Sequence, residues 1–257
     1  MESIWHHHQS TPNTLCLATQ DGQNFSRTDI VQCITYDTYR LNRIIGPKDE
    51  GIILLVDNSP CWLTLGIAAL QLGIHVIVAD RTISSEALAK LAKITGINCI
   101  FSNKNKELQI EGTTASIPAL RFYKAWKFKK RIQVERNNFT RDLPKVSGRL
   151  LSASKILRGT RTSMIQLNID RHGCASIFVG MLLTKGILPD SGNIQVVHHK
   201  LSRPELFAWA LGTIHSGNIL ILLDVSSKDF SESYKKLYTA YINNNSSTRI
   251  GFNDPVR

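Results

Sequence analysis

The stretch GIILLVDNSPCWLTLGIAALQLGIHVIVAD, residues 51–80, decides the fold. Its first residues, Gly51–Val56, are a continuous apolar run of strand length, which is typical of a strand buried on both faces of a parallel sheet. The polar turn that follows contains Ser59, which we expect to cap the next helix. Gly73 is expected to end this helix, and residues 74–79 form a second apolar strand. This order predicts a right-handed crossover between parallel strands.

The residues before this stretch predict a hairpin and a helix. Residues 14–18 have the pattern of a short strand, and the pair Asp21-Gly22 is a turn signal that leads into a second short strand. Ser26 is the expected cap of the next helix, with Asp29 three residues later at the spacing of a capping box. We expect that helix to end before Gly46-Pro47.

The residues after the stretch continue the alternation of helix and strand. Ser84 or Ser85 is the expected cap of another helix, Gly96 its end, and residues 98–102 the next strand. The predicted fold class is therefore α/β, doubly wound, with mainly parallel sheets and flanking helices. Further elements are predicted after residue 150: a helix at 169–184, a strand at 194–198, a helix at 204–215, a strand at 219–223 and a last helix ending near Asn243.

The pattern weakens between residues 103 and 144, and this predicts a division of the chain. The predicted parts are a first α/β subdomain at 1–120, a basic linker at 121–149 and a second α/β subdomain at 150–257. Asp57 and Asp80 end successive predicted strands, at the sheet edge where α/β folds place their ligands. Aspartates at such positions also form turns and caps, so both roles remain open.

Composition limits the class of protein. The 257 residues are 42% hydrophobic and 20% charged, which is ordinary for a packed protein and argues against disorder. No apolar stretch approaches the roughly 20 residues that span a bilayer, and the N-terminus has no apolar segment of signal-peptide length. We therefore expect no transmembrane helix and a cytoplasmic location.

Cysteines and charge point to no specific site. The five cysteines are widely spaced and odd in number, so they predict buried thiols and neither a disulfide framework nor a metal site. The formal net charge of +11 favours contact with polyanions. Residues 121–136 interleave aromatic and basic side chains, but a charge run without a recognition module favours a solvated surface over nucleic-acid binding.

The first hundred residues carry a set of short motifs in a characteristic order. These are Asp21-Gly22, the apolar strand at 52–56, Asn58-Ser59-Pro60, the alanine-bearing helix end at 68–73, Asp80, and Ser85-Glu86-Ala87-Leu88. In order and spacing they resemble the start of an adenylate-forming enzyme of the acyl-CoA synthetase, peptide-synthetase adenylation and luciferase superfamily. The resemblance implies the fold of the N-terminal part of the large domain of those enzymes.

The resemblance also implies a remnant of the family's phosphate loop at residues 150–163. That loop is rich in Ser, Thr and Gly and binds ATP phosphates, so ATP or AMP and Mg²⁺ are the implied ligands. Bulky residues at 155–157 fill positions that should be small, which favours a basic surface loop over a tight phosphate cradle. The residues that the resemblance assigns to the remnant are Ser154, Gly159, Thr160 and Arg161.

Further along, residues 206–223 resemble the family's leucine- and glycine-bearing helix and the strand after it. By this resemblance Arg203 stands where a histidine commonly borders the acyl pocket, so a carboxylate or acyl ligand is implied. The family's later motifs and its mobile C-terminal domain have no counterpart before Arg257. We therefore expect a truncated homologue with altered motifs.

Three functions remain open from the sequence. The first, which we favour, is a protein without independent carboxylate-activating activity that acts as a binding or partner subunit. The second is an active acid–CoA or acid–carrier ligase, either alone or as half of a split enzyme whose missing half is a separate chain. The third is a basic module for nucleic acid or another polyanion. Loss of a covering portion would also allow a homo-oligomer.

Overall fold

A computed structural model gives the architecture of the chain. It describes residues 8–20, 22–45, 50–57, 59–97, 99–102, 106–110, 113–117, 148–160, 165–169, 175–178, 194–197, 201, 204–215, 217–222 and 250–252. The strands are β1 Leu15–Thr19, β2 Asn24–Ser26, β3 Gly51–Val56, β4 His75–Asp80, β5 Ile100–Ser102, β6 Lys106–Ile110, β7 Thr113–Ile117, β8 Arg149–Ser152, β9 Ile165–Ile169, β10 Ala175–Phe178, β11 Ile194–Val197, β12 Ile219–Leu222 and β13 Ile250–Phe252. The helices are α1 Arg27–Ile44, α2 Cys61–Gln71, α3 Ser85–Thr95, α4 Ala153–Leu157 and α5 Pro204–His215.

Six strands form a large sheet in the order β10-β9-β8-β4-β3-β5. Within it β8, β4, β3 and β5 run parallel, while β9 is antiparallel to β8 and β10 is antiparallel to β9. The crossover from β3 through α2 to β4 joins two parallel strands that are direct neighbours. The predicted α/β class with mainly parallel sheets is therefore confirmed.

A smaller sheet has the order β13-β11-β12-β1-β2. Its first four strands run parallel, and β2 is antiparallel to β1. The predicted hairpin is thus confirmed, with Gly22 at a φ of +80° in the turn between β1 and β2. A separate pair, β6 and β7, is an antiparallel hairpin of its own.

Strand β3 is buried on both faces, as its continuous apolar run predicts. Ile52 and Leu54 belong to a core cluster that includes residues of α1, α2 and α5. Ile53 and Leu55 belong to a second cluster, on the other face of the large sheet, with residues of α3 and α4. Because successive side chains of a strand point to opposite faces, one apolar run contributes to both layers.

The expected helix boundaries mostly agree with the structure. The Ser26 hydroxyl accepts from the Asp29 backbone N–H, and the Asp29 carboxylate accepts from the Ser26 backbone N–H, which completes the predicted capping box. Ser84 rather than Ser85 caps α3, by accepting from the Ala87 backbone N–H. Helix α5 has the predicted bounds, and α1 ends before residue 46 as expected.

The prediction that Ser59 caps α2 is wrong. The residue preceding this helix is Pro60, and no side-chain hydrogen bond caps its first turn. The Ser59 hydroxyl instead lies 2.9 Å from the Cys61 sulfur. The Asp57 carboxylate accepts the Ser59 backbone N–H, and this two-residue turn fixes the chain before the helix begins.

The helix predicted at residues 169–184 is also wrong, because Ala175–Phe178 is a strand paired antiparallel with Ile165–Ile169. The sequence IQLNI of β9 alternates apolar and polar residues, which is the period of a strand and not of a helix. The last predicted helix, near Asn243, lies outside the described residues.

The six-stranded and the five-stranded sheet both combine strands from before and after residues 121–149. Strand β4 pairs with β8, and β1 pairs with β12. Most of the predicted linker lies outside the described residues, and the division at 120 and 150 stays a prediction. Among the described helices, none has the length and apolar character needed to cross a membrane.

Candidate functional site

The carboxyl ends of four parallel strands meet at one edge of the large sheet. Val56 of β3 is in register with Asp80 of β4, and Ser152 of β8 is in register with Val78 of β4. The loops that follow β3, β4 and β8 therefore leave the sheet side by side. This edge is where open α/β sheets bind ligands, so it is the candidate site.

Asp57, directly after β3, organises the turn into α2. Its Oδ1 atom accepts hydrogen bonds from the Ser59 backbone N–H at 2.9 Å and from the Trp62 indole Nε1 at 2.8 Å. The guanidinium of Arg81 lies 3.7 Å from its Oδ2 atom. These contacts are those of a turn-forming residue that also anchors a buried indole.

Asp80 has a similar role at the end of β4. Its Oδ1 atom accepts from the Thr82 backbone N–H at 2.8 Å and from the Thr82 hydroxyl at 2.6 Å. This hydrogen bonding two residues onward is the pattern of an Asx turn. Of the two roles that the sequence left open for Asp57 and Asp80, the structure shows the turn-forming one.

The segment after β8, which the resemblance aligns with the phosphate loop, forms a short capped helix. The Ser152 side chain is buried and accepts from the Lys155 backbone N–H at 3.4 Å, and its hydroxyl lies 3.0 Å from that of Ser154. Helix α4 then runs for five residues. A helix accommodates the bulky side chains of residues 155–157, whereas a tight phosphate-binding loop would not.

Gly159 ends this helix with a Schellman arrangement. Its φ is +86°, in the left-handed region that favours glycine. The Gly159 N–H donates to the Ile156 carbonyl at 2.9 Å, and the Thr160 N–H donates to the Lys155 carbonyl at 2.9 Å. These amides are satisfied within the segment, so they do not converge on a common point as amides do in an anion-binding nest.

Two apolar side chains anchor the segment to the core. Ala153 and Ile156 are buried in the cluster that covers one face of the large sheet, together with Ile77 and residues of α3. Ile156 therefore occupies its position in the altered motif as a packing residue. The segment is held by burial as well as by hydrogen bonds.

The structure brings together three of the residues assigned by the resemblance. Ser154, Gly159 and Thr160 are exposed and lie on one short helix and its terminating turn. Arg161 and Arg203 lie outside the described residues. The assignment of these residues to phosphate and acyl binding stays a prediction. As arranged, the amides of Gly159 and Thr160 donate within the segment and do not form a phosphate cradle.

The cysteines of the described residues are free thiols. Burial raises the pKa of Cys16, Cys33 and Cys61 to about 12, so they are protonated at neutral pH and are poor nucleophiles. In the part of the chain that the structure describes, no group of three His, Cys, Asp or Glu side chains could hold a metal ion. The fourth described thiol, Cys99, is half-buried.

Asp37 is a buried carboxyl group that the sequence patterns did not single out. It is 3% exposed and lies between α1 and α2. A signal was present, because residue 37 continues the helical spacing of the apolar residues Ile30, Ile34 and Leu41. A carboxyl group on an apolar stripe predicts burial, but its polar partner comes from another helix.

Comparisons with known proteins identify the architecture. No family model and no curated protein sequence matches the chain. Among solved structures, VinN is 11% identical, with 95% of this chain and 63% of that chain covered at a TM-score of 0.52. The inhibitor-bound N-terminal domain of FACL13 from Mycobacterium tuberculosis is 11% identical, with 95% and 61% covered at a TM-score of 0.53.

A third similar structure is the O-succinylbenzoate coenzyme A synthetase MenE from Bacillus subtilis, in complex with ATP and magnesium ion. It is 10% identical, with 96% of this chain and 62% of that chain covered at a TM-score of 0.53. The chain thus spans between 61% and 63% of the length of these three solved chains. At these identities the likeness concerns the fold, and it confirms that the chain has the fold of the N-terminal part of adenylate-forming enzymes.

Proposed function

We propose that this chain does not activate carboxylic acids by itself and acts as a binding or partner subunit with the fold of an adenylate-forming ligase. The observation that carries the proposal is the capped helix at 152–160, where the resemblance expects a phosphate loop. A loop that binds ATP phosphates needs small residues and backbone amides that point at the ligand. The amides of Gly159 and Thr160 donate within the segment instead.

Converting the segment into a phosphate loop would be costly. Each hydrogen bond that ends α4 contributes about 0.5–1.5 kcal/mol, and exposing the buried Ile156 side chain costs about 1.5–3 kcal/mol. The sum of these terms is several kcal/mol. Binding at a Kd of 1 mM to 1 μM supplies only about 4–8 kcal/mol, so this cost would weaken ATP binding by roughly a hundredfold or more.

Besides ATP, the resemblance implies two kinds of partner: a carboxylate or acyl ligand, and another protein chain. Both follow from the resemblance, through the position of Arg203 and through the portion of the similar solved chains that this chain does not match. ATP with Mg²⁺ is bound by MenE in its solved complex. In the present chain, the hydrogen bonding of residues 152–160 argues against the same nucleotide site.

Carboxylate-dependent exchange of labelled pyrophosphate into ATP tests the proposal, because exchange reports formation of an acyl adenylate without any later step. The chain is assayed with Mg²⁺ and a panel of aliphatic and aromatic acids, and MenE with O-succinylbenzoate serves as the active control. We expect exchange no faster than in the absence of protein. Acid-dependent exchange by the chain alone would contradict the proposal.

The same assay distinguishes the split-enzyme alternative. Exchange that begins only when a second chain is added would identify this protein as half of a ligase, with the nucleotide site completed by the partner. The variant Gly159→Ala then serves as a probe, because a Cβ at this position meets no atom within 4 Å but is strained by the positive φ. In the non-catalytic account its effect is limited to stability.

A further inference from the structure

The contact between α1 and α2 contains a polar cluster that the proposed function does not use. Asp37 on α1 is buried, and its Oδ2 atom lies 2.7 Å from Oγ1 of Thr64 on α2. Thr64 is itself 1% exposed. The two side chains therefore meet away from water, where a hydrogen bond is strong and an unsatisfied group is costly.

The Thr64 hydroxyl has two acceptors within reach but only one hydrogen. Its oxygen lies 3.0 Å from the Cys61 backbone carbonyl as well as 2.7 Å from Asp37 Oδ2. An ionised Asp37 can only accept, so it would compete with the carbonyl for the single hydrogen. A protonated Asp37 resolves the conflict, because the acid donates to Thr64 and Thr64 donates to Cys61.

Charges near Asp37 do little to stabilise its ionised form. Among the described residues, Arg40 on the same helix is the charged group that acts on Asp37, and its guanidinium also lies 5.6 Å from the centre of the Tyr36 ring. Burial outweighs the effects of Arg40 and of the Thr64 hydrogen bond and raises the pKa of Asp37 to about 7.

Besides Arg40, the described titratable groups that interact with Asp37 are thiols. Cys33 faces it from α1 and Cys61 from α2, and burial raises the pKa of both thiols to about 12, so they are neutral. On β1, the thiol of Cys16 interacts electrostatically with Arg27 instead. Asp37 is therefore the group of this cluster that changes charge near neutral pH.

We propose that Asp37 is a proton-operated contact between α1 and α2: when it holds a proton, the acid donates to Thr64 and Thr64 donates to the Cys61 carbonyl, and when it releases the proton to solvent, a charge is left buried between the helices. The ionised carboxylate draws the Thr64 hydrogen to itself. The helices are then joined by a buried charge whose solvation is incomplete, and their contact weakens.

The contact leads to the carboxyl edge of the large sheet. Cys61 is the first residue of α2, and its sulfur lies 2.9 Å from the Ser59 hydroxyl. The Ser59 backbone N–H in turn donates to Asp57. A change in the position of the first turn of α2 would therefore be transmitted to the turn after β3, which lies at the candidate site.

The test compares the wild-type chain with Asp37→Asn in urea unfolding between about pH 5 and pH 8.5. An amide keeps the shape of the acid and can donate to Thr64, so it imitates the protonated state. A raised pKa in the folded state means that stability is full below the unfolded value of about 3.9 and is lost as pH rises to about 7. Relative to Asp37→Asn, the folding equilibrium constant of the wild type should fall on the order of tenfold to a hundredfold and then level off.

Asp29→Asn is the matched control, because it makes the same chemical change at an exposed position on the same helix. We expect it to keep the wild-type pH profile above about pH 5. Hydrogen exchange adds a local readout when variants are compared at equal pH: amides of α1 and α2 should exchange faster in the wild type than in Asp37→Asn at pH 8.5, and the difference should be much smaller at pH 5. Parallel stability profiles for the wild type and Asp37→Asn would overturn the proposal.

A second variant keeps the test independent of Asp37→Asn. Thr64→Val preserves shape but removes the hydroxyl from both protonation states of Asp37. The bond that the hydroxyl makes to the carboxylate is charge-assisted and stronger than its bond to the neutral acid, so the ionised form loses more. The pKa of Asp37 should therefore rise further, and the midpoint of the pH profile should move to higher pH. An unchanged midpoint would contradict the proposed role of the Thr64 hydroxyl.

Discussion

Asp57 and Ser59 show how one side chain can take the role that the sequence assigns to its neighbour. A serine before Pro60 is a familiar helix-capping pattern, and residue preference alone favours it. The aspartate two residues earlier accepts hydrogen bonds from the Ser59 backbone N–H and from the Trp62 indole N–H, and so forms the turn itself. Local preference could predict a turn here, but not which of two polar side chains would form it.

This difference predicts unequal effects of two substitutions. Asp57→Ala removes the acceptor of two hydrogen bonds, one of them from the indole of buried Trp62, and should lower the free energy of unfolding by about 2 kcal/mol. Ser59→Ala should cost no more than about 0.5 kcal/mol, because Ser59 caps no helix and its hydroxyl contacts only the Cys61 thiol, a weak hydrogen-bond partner, among the contacts described above. Urea unfolding of both variants measures the difference, and a larger cost for Ser59→Ala would show that the turn is wrongly described.

At the scale of elements, the parallel core was predictable and the segment after it was not. Apolar runs such as Gly51–Val56 indicate buried strands because they have strand length and are bounded by polar and turn-forming residues. The segment at 152–160 departs from the phosphate-loop motif of the family that the chain resembles. That departure argues against a phosphate loop but does not predict a helix. The helical form of the segment depends on Ile156 finding a place in the core beside α3, which is information from distant parts of the chain.

The crossing of α2 and α5 makes another element-scale prediction. A Cβ added at Gly66 of α2 would lie 3.1 Å from the Cε1 and Cζ atoms of Phe207 on α5, and Phe207 is fully buried. Gly66→Ala gains about 1 kcal/mol of helix propensity but should lose about 1–3 kcal/mol by crowding the ring. The net result should be a loss of about 1 kcal/mol in the free energy of unfolding.

A double-mutant cycle isolates that contact. In a Phe207→Leu background, which removes the crowding ring, Gly66→Ala should become neutral or stabilising. The same cost in both backgrounds would mean that Gly66 is required for a reason other than the close approach of α5.

At the scale of the whole molecule, the chain has the fold of the N-terminal part of adenylate-forming enzymes without the hydrogen-bonding geometry of a phosphate loop in its described residues. The order of strands and helices over residues 15–102 could be predicted because each element satisfies its own local pattern. The antiparallel placement of β9 and β10 could not, because it depends on which strand edge is free after β8 pairs with β4. The Asp37 cluster could not be predicted either, because it depends on contact with Thr64 of a different helix.

Calorimetric titration of the full chain with ATP and Mg²⁺ tests the central claim most directly. MenE, which has been solved with ATP and magnesium ion, provides the control for a competent site. The account predicts no saturable heat from this chain at millimolar ATP, because the amides of residues 159 and 160 are bonded within the segment. Saturable binding of one ATP per chain would contradict it. Loss of that binding in Gly159→Ala would show that the segment opens to hold phosphate.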